Sequence, residues 1–185
     1  LDPWYPLKVW DGGMSFHGGM LGVLVAIGGF AISRGRHVFD VFDFGAPLPG
    51  IGICAVRIGN FINGELWGAP TSVPWAFGVP DPVTGEVIGR HPSQLYEAFF
   101  EGLLMFLLVW WFARKPRPRG AVFGLALAYY AVARSLAELV RLPDAQLGYL
   151  AGDWLTMGML LSLPMYVLGA ILLANAWVRP RPTGN

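Results

Sequence analysis

Five apolar runs, each close to the length a helix needs to cross a lipid bilayer, constrain this chain more than any other feature. They lie at about 16–33, 38–62, 94–113, 121–142 and 154–178. A spanning helix takes roughly 20 mostly apolar residues. Inside lipid every backbone polar group must be bonded within the protein, which leaves helices and closed barrels as the spanning structures. The runs predict an all-α integral membrane protein with five transmembrane helices. Composition agrees: 55% of residues are hydrophobic and 14% charged, against about 25% charged in soluble domains. Mean hydropathy is +0.50.

Proline and charge divide the runs. Pro47 and Pro49 interrupt the second, which should kink or break there, and Pro164 lies inside the fifth. Residues 63–92 carry Pro70, Pro74, Pro80, Asp81-Pro82 and Gly85, too polar and turn-rich to span, and are expected to form an irregular outer loop or small cap. The whole of 1–185 reads as one transmembrane domain. Arg34 and Arg36, then Arg114, Lys115, Arg117 and Arg119, then Arg179 and Arg181 fall in alternate connections. By the positive-inside rule these face the cytoplasm, with the C-terminus, while residues 63–92 and 143–153 face outward. This basic clustering is a topology signal, and no nucleic-acid partner is expected. Eight tryptophans suit interfacial belts, and the single cysteine, Cys54, allows no internal disulfide and reads as a small core residue. The chain opens Leu1-Asp2-Pro3-Trp4, with neither an initiator methionine nor a signal-peptide pattern. That opening is the one expected of the C-terminal part of a longer chain.

Against this apolar background the polar residues stand out. Arg57-Ile58-Gly59-Asn60-Phe61-Ile62-Asn63-Gly64-Glu65 puts one arginine, two asparagines and one glutamate at the end of the second run. Such groups are costly at the edge of hydrocarbon and are usually paired, wet or functional. The stretch reads as a helix end opening into a polar cavity. In the fourth run Tyr130, Arg134 and Glu138 are spaced four apart, and Arg141 lies two turns beyond Arg134, so they share a face. A structural Arg134–Glu138 pair accounts for part of that stripe. Two planar arginine forks at the outer ends of two spans also suit a phosphate. His17, at the outer start of the first run, is either a general base or an interfacial histidine bonded to backbone. In Arg90-His91-Pro92-Ser93-Gln94-Leu95-Tyr96-Glu97 a helix start explains Pro92 and Ser93 but leaves His91, Gln94 and Glu97 unexplained. Glu101, one turn deeper in the apolar run, needs a partner or a proton. The histidines are far apart without ligand spacing, so no metal site is expected, and no Gly-x-Ser-x-Gly element points to a serine hydrolase.

These residues together resemble the bacterial prolipoprotein diacylglyceryl transferase family. The resemblance lies in Trp10-Asp11-Gly12-Gly13-Met14-Ser15-Phe16-His17-Gly18-Gly19, in Arg57 through Glu65, in Arg90 through Glu97, and in Arg134…Glu138…Arg141-Leu142-Pro143-Asp144. It implies seven transmembrane helices, two of them preceding this chain, in the bacterial cytoplasmic (inner) membrane, with the active site toward the outer leaflet. It implies transfer of the diacylglyceryl group of phosphatidylglycerol to the lipobox cysteine of a preprolipoprotein, without metal or organic cofactor. His17, Arg57 and Arg134 are then the catalytic candidates. Asn60, Asn63, Glu65, His91, Tyr130, Glu138 and Arg141 are the substrate-binding candidates. A substrate phosphate oxygen is an alternative to His17 as acceptor of the thiol proton. Two other classes use the same residues. An anion or phospholipid transporter would need basic residues reachable from both sides, and the inner halves of the runs are apolar. A scaffold whose Arg–Glu pairs only lock helices would tolerate lysine at Arg57 and Arg134.

Overall fold

A computed structural model describes residues 16–81, 84–142, 148–152 and 154–178, with the side chains of 16–18, 20 and 177 outside that description. The elements are almost all helical: α1 (Phe16–Ser33), α2 (Val38–Gly45), α3 (Leu48–Ile62), α4 (Ser93–Glu97), a π-helical segment (Ala98–Leu104), α5 (Met105–Ala113), α6 (Ala121–Ala137) and α7 (Met157–Val178). Three stretches are long and apolar enough to cross a membrane: Val38–Ile62, Ser93–Ala113 and Met157–Ala176. Leu21–Ser33 and Ala121–Ala137 are shorter apolar helices. Large apolar side chains along α3, α5 and α7, among them Val56, Ile62, Trp111, Leu163, Val167 and Ile171, are exposed on the protein surface. Apolar area left in water costs about 25 cal/mol per Å², so such faces belong in lipid. The fold is an all-α membrane protein.

By contacts the chain divides into two units, residues 1–42 and 43–185. In the first, α1 ends in a turn where Arg36 N–H donates to Ala31 O over 2.9 Å and Gly35 takes φ +63°. Phe39 N–H then donates to His37 Nδ1 at the start of α2. In the second unit the proline break falls where the sequence puts it. The chain turns at Ala46-Pro47, and Pro49 occupies the first turn of α3, where a missing N–H costs nothing.

Glycine sets how closely the helices of the second unit approach. A Cβ on Gly102 would lie 2.7 Å from Cys54 Cα, so α3 rests directly on the π-helical segment. Between α6 and α7, a Cβ on Gly124 would lie 2.8 Å from Leu172 Cβ, and one on Gly169 would lie 2.8 Å from Ala128 N. Small residues of this kind let backbones meet in the absence of a hydrophobic drive. Ala46, Met105, Val109, Val122 and Ala126 form the buried core. Asp43 caps α6 from a distance: its carboxylate accepts from Gly120 N–H at 2.7 Å and from Phe123 N–H at 2.8 Å.

Two boundaries differ from the sequence reading. The fourth span, expected over 121–142, ends at Ala137, because Arg141 leaves the helix to bridge Gly68 and Ala69 N–H takes the Val140 carbonyl at 2.9 Å. The fifth begins at Met157 rather than 154, where Thr156 Oγ1 accepts from Met159 N–H at 3.2 Å. Residues 63–92, expected to form an irregular loop or small cap, contain an antiparallel hairpin of β1 (Phe77–Pro80) and β2 (Val87–Arg90), with Phe77 opposite Arg90. Asp81 closes its turn, accepting from Thr84 N–H at 3.1 Å and lying 3.6 Å from Arg90 Nη2. Phe61, Trp67 and Phe77 pack edge-on or tilted, 5.3–5.7 Å apart, between the hairpin and the end of α3.

Candidate active site

The site is built around Glu97, the last residue of α4, with no exposed surface. Its carboxylate gathers three arginines from different parts of the chain. Arg57 Nη2, from α3, lies 2.8 Å from Oε2. Arg134 Nη1, from the last turn of α6, lies 3.1 Å from the same oxygen. Arg141 Nη1, from the segment after α6, donates to Oε2 at 3.2 Å and to Oε1 at 3.4 Å. The arginine side chains are 12–19% exposed. Like charges this close are tolerable only around a shared counter-charge, and a buried carboxylate persists only when paired.

Two further acids complete the cluster. Glu138 Oε1 pairs with Arg134 Nη2 and lies 3.6 Å from Arg141 Nε. Helix α7 begins against it: a Cβ on Gly158 would come within 2.6 Å of Glu138 Oε1. Glu101, also fully buried, has Oε1 3.6 Å from Arg134 Nη1, and neither of its oxygens has a hydrogen-bond partner among the described residues. It sits in the π-helical segment, and such segments recur at functional sites. Arg57 Nε and Nη1 and Arg141 Nη2 are left without acceptors among the described residues. The cluster therefore has guanidinium donors that its own carboxylates do not use.

At the loop end of the same helices lies an amide layer. Ser93 Oγ donates to Leu66 O at 3.0 Å, and Gln94 Nε2 donates to Glu65 O. Asn60 Nδ2 donates to Glu65 Oε2 at 3.3 Å, while Glu65 N–H donates to Asn60 O at 2.9 Å. Gly64 and Leu66 both take positive φ, +71° and +58°, in the turn that brings Glu65 back over the helix end. Along α3 an apolar groove of about 300 Å³ is lined by Ile51, Cys54, Ala55, Ile58, Leu103 and Phe106.

The sequence candidates are thus only partly assembled. Arg57, Arg134, Glu138 and Arg141 meet, and the Arg134–Glu138 pair expected on structural grounds is present within the larger cluster. Asn60 and Glu65 form the adjoining layer. Tyr130 packs on the core of Met105 and Val109 and also lies within electrostatic reach of Glu101, Arg134, Arg57 and Glu97. His91 Nδ1 lies 3.3 Å from Tyr96 OH, which also accepts from Trp75 Nε1 at 2.7 Å, so it belongs to the hairpin side of the site. Asn63 is exposed, its N–H capping α3 on Gly59 O. His17 lies in the first turn of α1, in the first unit, and its side chain is outside the described residues. Glu97 and Gln94, noticed in the sequence as unexplained, are the residues that sequence reasoning did not place among the site candidates. The available signal was acid and amide side chains one turn apart at the start of an apolar run.

Helices of lipid-crossing character that bring three arginines to one buried carboxylate define an all-α membrane protein with a buried ionic cluster. A family profile described as prolipoprotein diacylglyceryl transferase matches residues 1–175. The chain is 55% identical over 178 residues to a phosphatidylglycerol–prolipoprotein diacylglyceryl transferase of Methylococcus capsulatus, covering 96% of this chain and 67% of the relative. It is 53% identical over 179 residues to the protein of that name from Ectopseudomonas mendocina, covering 96% and 66%. With that of Solidesulfovibrio magneticus it shares 56% identity over 174 residues, covering 94% and 65%. The chain belongs to the prolipoprotein diacylglyceryl transferase family, and it spans about two thirds of the length of the curated relatives it matches.

Proposed function

We propose that the protein transfers the diacylglyceryl group of phosphatidylglycerol to the thiol of a lipobox cysteine in a preprolipoprotein, forming a thioether and releasing glycerol phosphate. The convergence of Arg57, Arg134 and Arg141 on Glu97 is the observation that carries this reading. A phosphodiester fits their unfilled donors. In the reaction the cysteine sulfur attacks the glyceryl carbon, the carbon–oxygen bond to phosphate breaks, and the oxygen keeps the electron pair. Charge grows on the leaving phosphate as that bond breaks. Guanidinium donors already held in place stabilise it without reorganising at the moment of reaction.

A free thiol has a pKa of about 8.5, and the thiolate is the nucleophile. The thiol proton goes to His17 or to a phosphate oxygen of the substrate. Asn60, Glu65, Gln94 and Ser93 shape the end of the cavity, while Glu138 and Glu97 orient the arginines. The step balances without a metal or organic cofactor.

The protein sits in the bacterial cytoplasmic membrane, with the arginine cluster toward the outer leaflet and the basic connections and C-terminus in the cytoplasm. The arginine- and lysine-rich loops support that orientation. The reaction is tested by following glycerol phosphate release from phosphatidylglycerol vesicles that contain the purified protein. Release should require a lipobox peptide and fail when its cysteine is replaced by serine. Release independent of the thiol would point to lipid hydrolysis and overturn the proposal.

A further inference from the structure

Two buried amide oxygens beside the arginine cluster have no hydrogen-bond partner among the described residues: Gln94 Oε1 and Asn60 Oδ1. Their orientation is fixed, because the nitrogen of each side chain is spent on Glu65, Gln94 Nε2 on its carbonyl and Asn60 Nδ2 on its carboxylate. Gln94 has no exposed surface at all. A buried acceptor without a donor is costly and rare in native proteins, so each calls for an explanation.

The explanation lies in the order of layers along the two helices. Arg57 on α3 meets Glu97 on α4. Asn60, three residues after Arg57, and Gln94, three residues before Glu97, both meet Glu65. The helices therefore run antiparallel here, and the amide layer stands about one turn, roughly 5 Å, from the charge layer. An apolar groove runs alongside this part of α3, lined from Ile51 to Ile58 together with Leu103 and Phe106. Guanidinium cluster and unfilled acceptors follow one another in the order of phosphate and headgroup in a phospholipid, with the apolar groove on the flank of α3.

We infer that Gln94, together with Asn60, reads the headgroup of the lipid substrate, its Oε1 accepting a hydroxyl proton from the glycerol beyond the phosphate. This rests on the transferase reading and names the determinant that selects a hydroxylated headgroup. A site built to bond a hydroxyl rejects an analogue lacking it, because the acceptor is then left buried and empty.

The test compares phosphatidylglycerol with phosphatidylpropanol, whose headgroup has the same three carbons and no hydroxyl. In the wild-type protein kcat/KM should be about a hundredfold lower for the propanol lipid, the cost of one buried acceptor left unsatisfied. In Gln94→Met, of similar length and without an acceptor, activity on phosphatidylglycerol should fall while the ratio between the two lipids shrinks to within about fivefold. A residue that only supports the fold would lower both activities and preserve the ratio. Should Gln94→Met fail to fold, Asn60→Leu carries the same comparison. Equal use of the two lipids by the wild type, or an unchanged ratio in the folded variant, would overturn the inference. No turnover of phosphatidylglycerol by the wild type would instead remove the transferase reading beneath it.

Discussion

Replacing Glu97 by glutamine changes one oxygen to an amide, keeps the volume, and removes the charge on which three arginines converge. Each contact pairs unit charges at 2.8–3.2 Å between nitrogen and oxygen. At about 4 Å between charge centres and an effective dielectric of about 20, one such pair is worth roughly 4 kcal/mol before desolvation is counted. The three do not add, because the variant no longer has to strip a carboxylate of water and its amide oxygen still accepts. Breaking a buried pair from one side typically costs about 3–5 kcal/mol, and Glu97→Gln should fall in that range. For a chain of this size each kcal/mol lowers Tm by about 2–4 °C, so the melt should drop on the order of 10 °C. The assay is thermal unfolding of the detergent-solubilised protein, with Glu86→Gln, at an exposed hairpin position, as a control that should not move. Adding Arg57→Met to Glu97→Gln should recover part of the loss by removing an unbalanced cation. A Glu97→Gln melt within about 2 °C of wild type, or a double variant worse than the sum of its parts, would refute the view that this carboxylate holds the cluster together.

Other substitutions test other parts of the account. Arg134→Lys keeps the charge but loses the fork that reaches Glu97 and Glu138 at once; transfer activity should fall at least about a hundredfold with a smaller change in Tm, and near-normal activity would favour a purely structural cluster. Gly102→Ala would place a methyl 2.7 Å from Cys54 Cα, backbone that cannot give way, so it should destabilise by about 1–3 kcal/mol in the same melt. Gly52→Ala, on the same helix pair but with nothing within 4 Å of the added carbon, should be neutral or mildly stabilising. Gly158→Ala would push a methyl to 2.6 Å from Glu138 Oε1 and should lower activity by about tenfold by turning Glu138 away from Arg134, measured as peptide modification rate.

Much of the arrangement is legible in the sequence where a single residue has a strong local consequence. Pro47 and Pro49 mark the break between α2 and α3 because proline removes a helical N–H wherever it stands. Arg57, Arg134 and Arg141 draw notice because charge in an apolar run must have a reason. Legibility fails where the reason is tertiary. Nothing in Glu138-Leu139-Val140 stops a helix; α6 ends at Ala137 because Val140 and Arg141 pair with Gly68 and Ala69. The hairpin at 77–90 escapes because Phe77-Gly78-Val79-Pro80 and Val87-Ile88-Gly89-Arg90 are short and carry glycine and proline, which suit strands poorly. Glu97 escapes for another reason. It is one of two acids a turn apart, and only the packing of α3 and α6 against α4 shows that Glu97 is the one all three arginines share. Thr156 could have been read as the start of α7, since threonine before an apolar run is a common cap.

Mass spectrometry of a lipobox peptide, after incubation with the purified protein in phosphatidylglycerol vesicles, tests the central claim most directly. The arginine cluster predicts a diacylglyceryl mass added to the cysteine by the wild-type protein, and none by Arg134→Ala, whose ion pairs with Glu97, Glu101 and Glu138 are gone. An unmodified peptide with wild type, or full modification by folded Arg134→Ala, would contradict it.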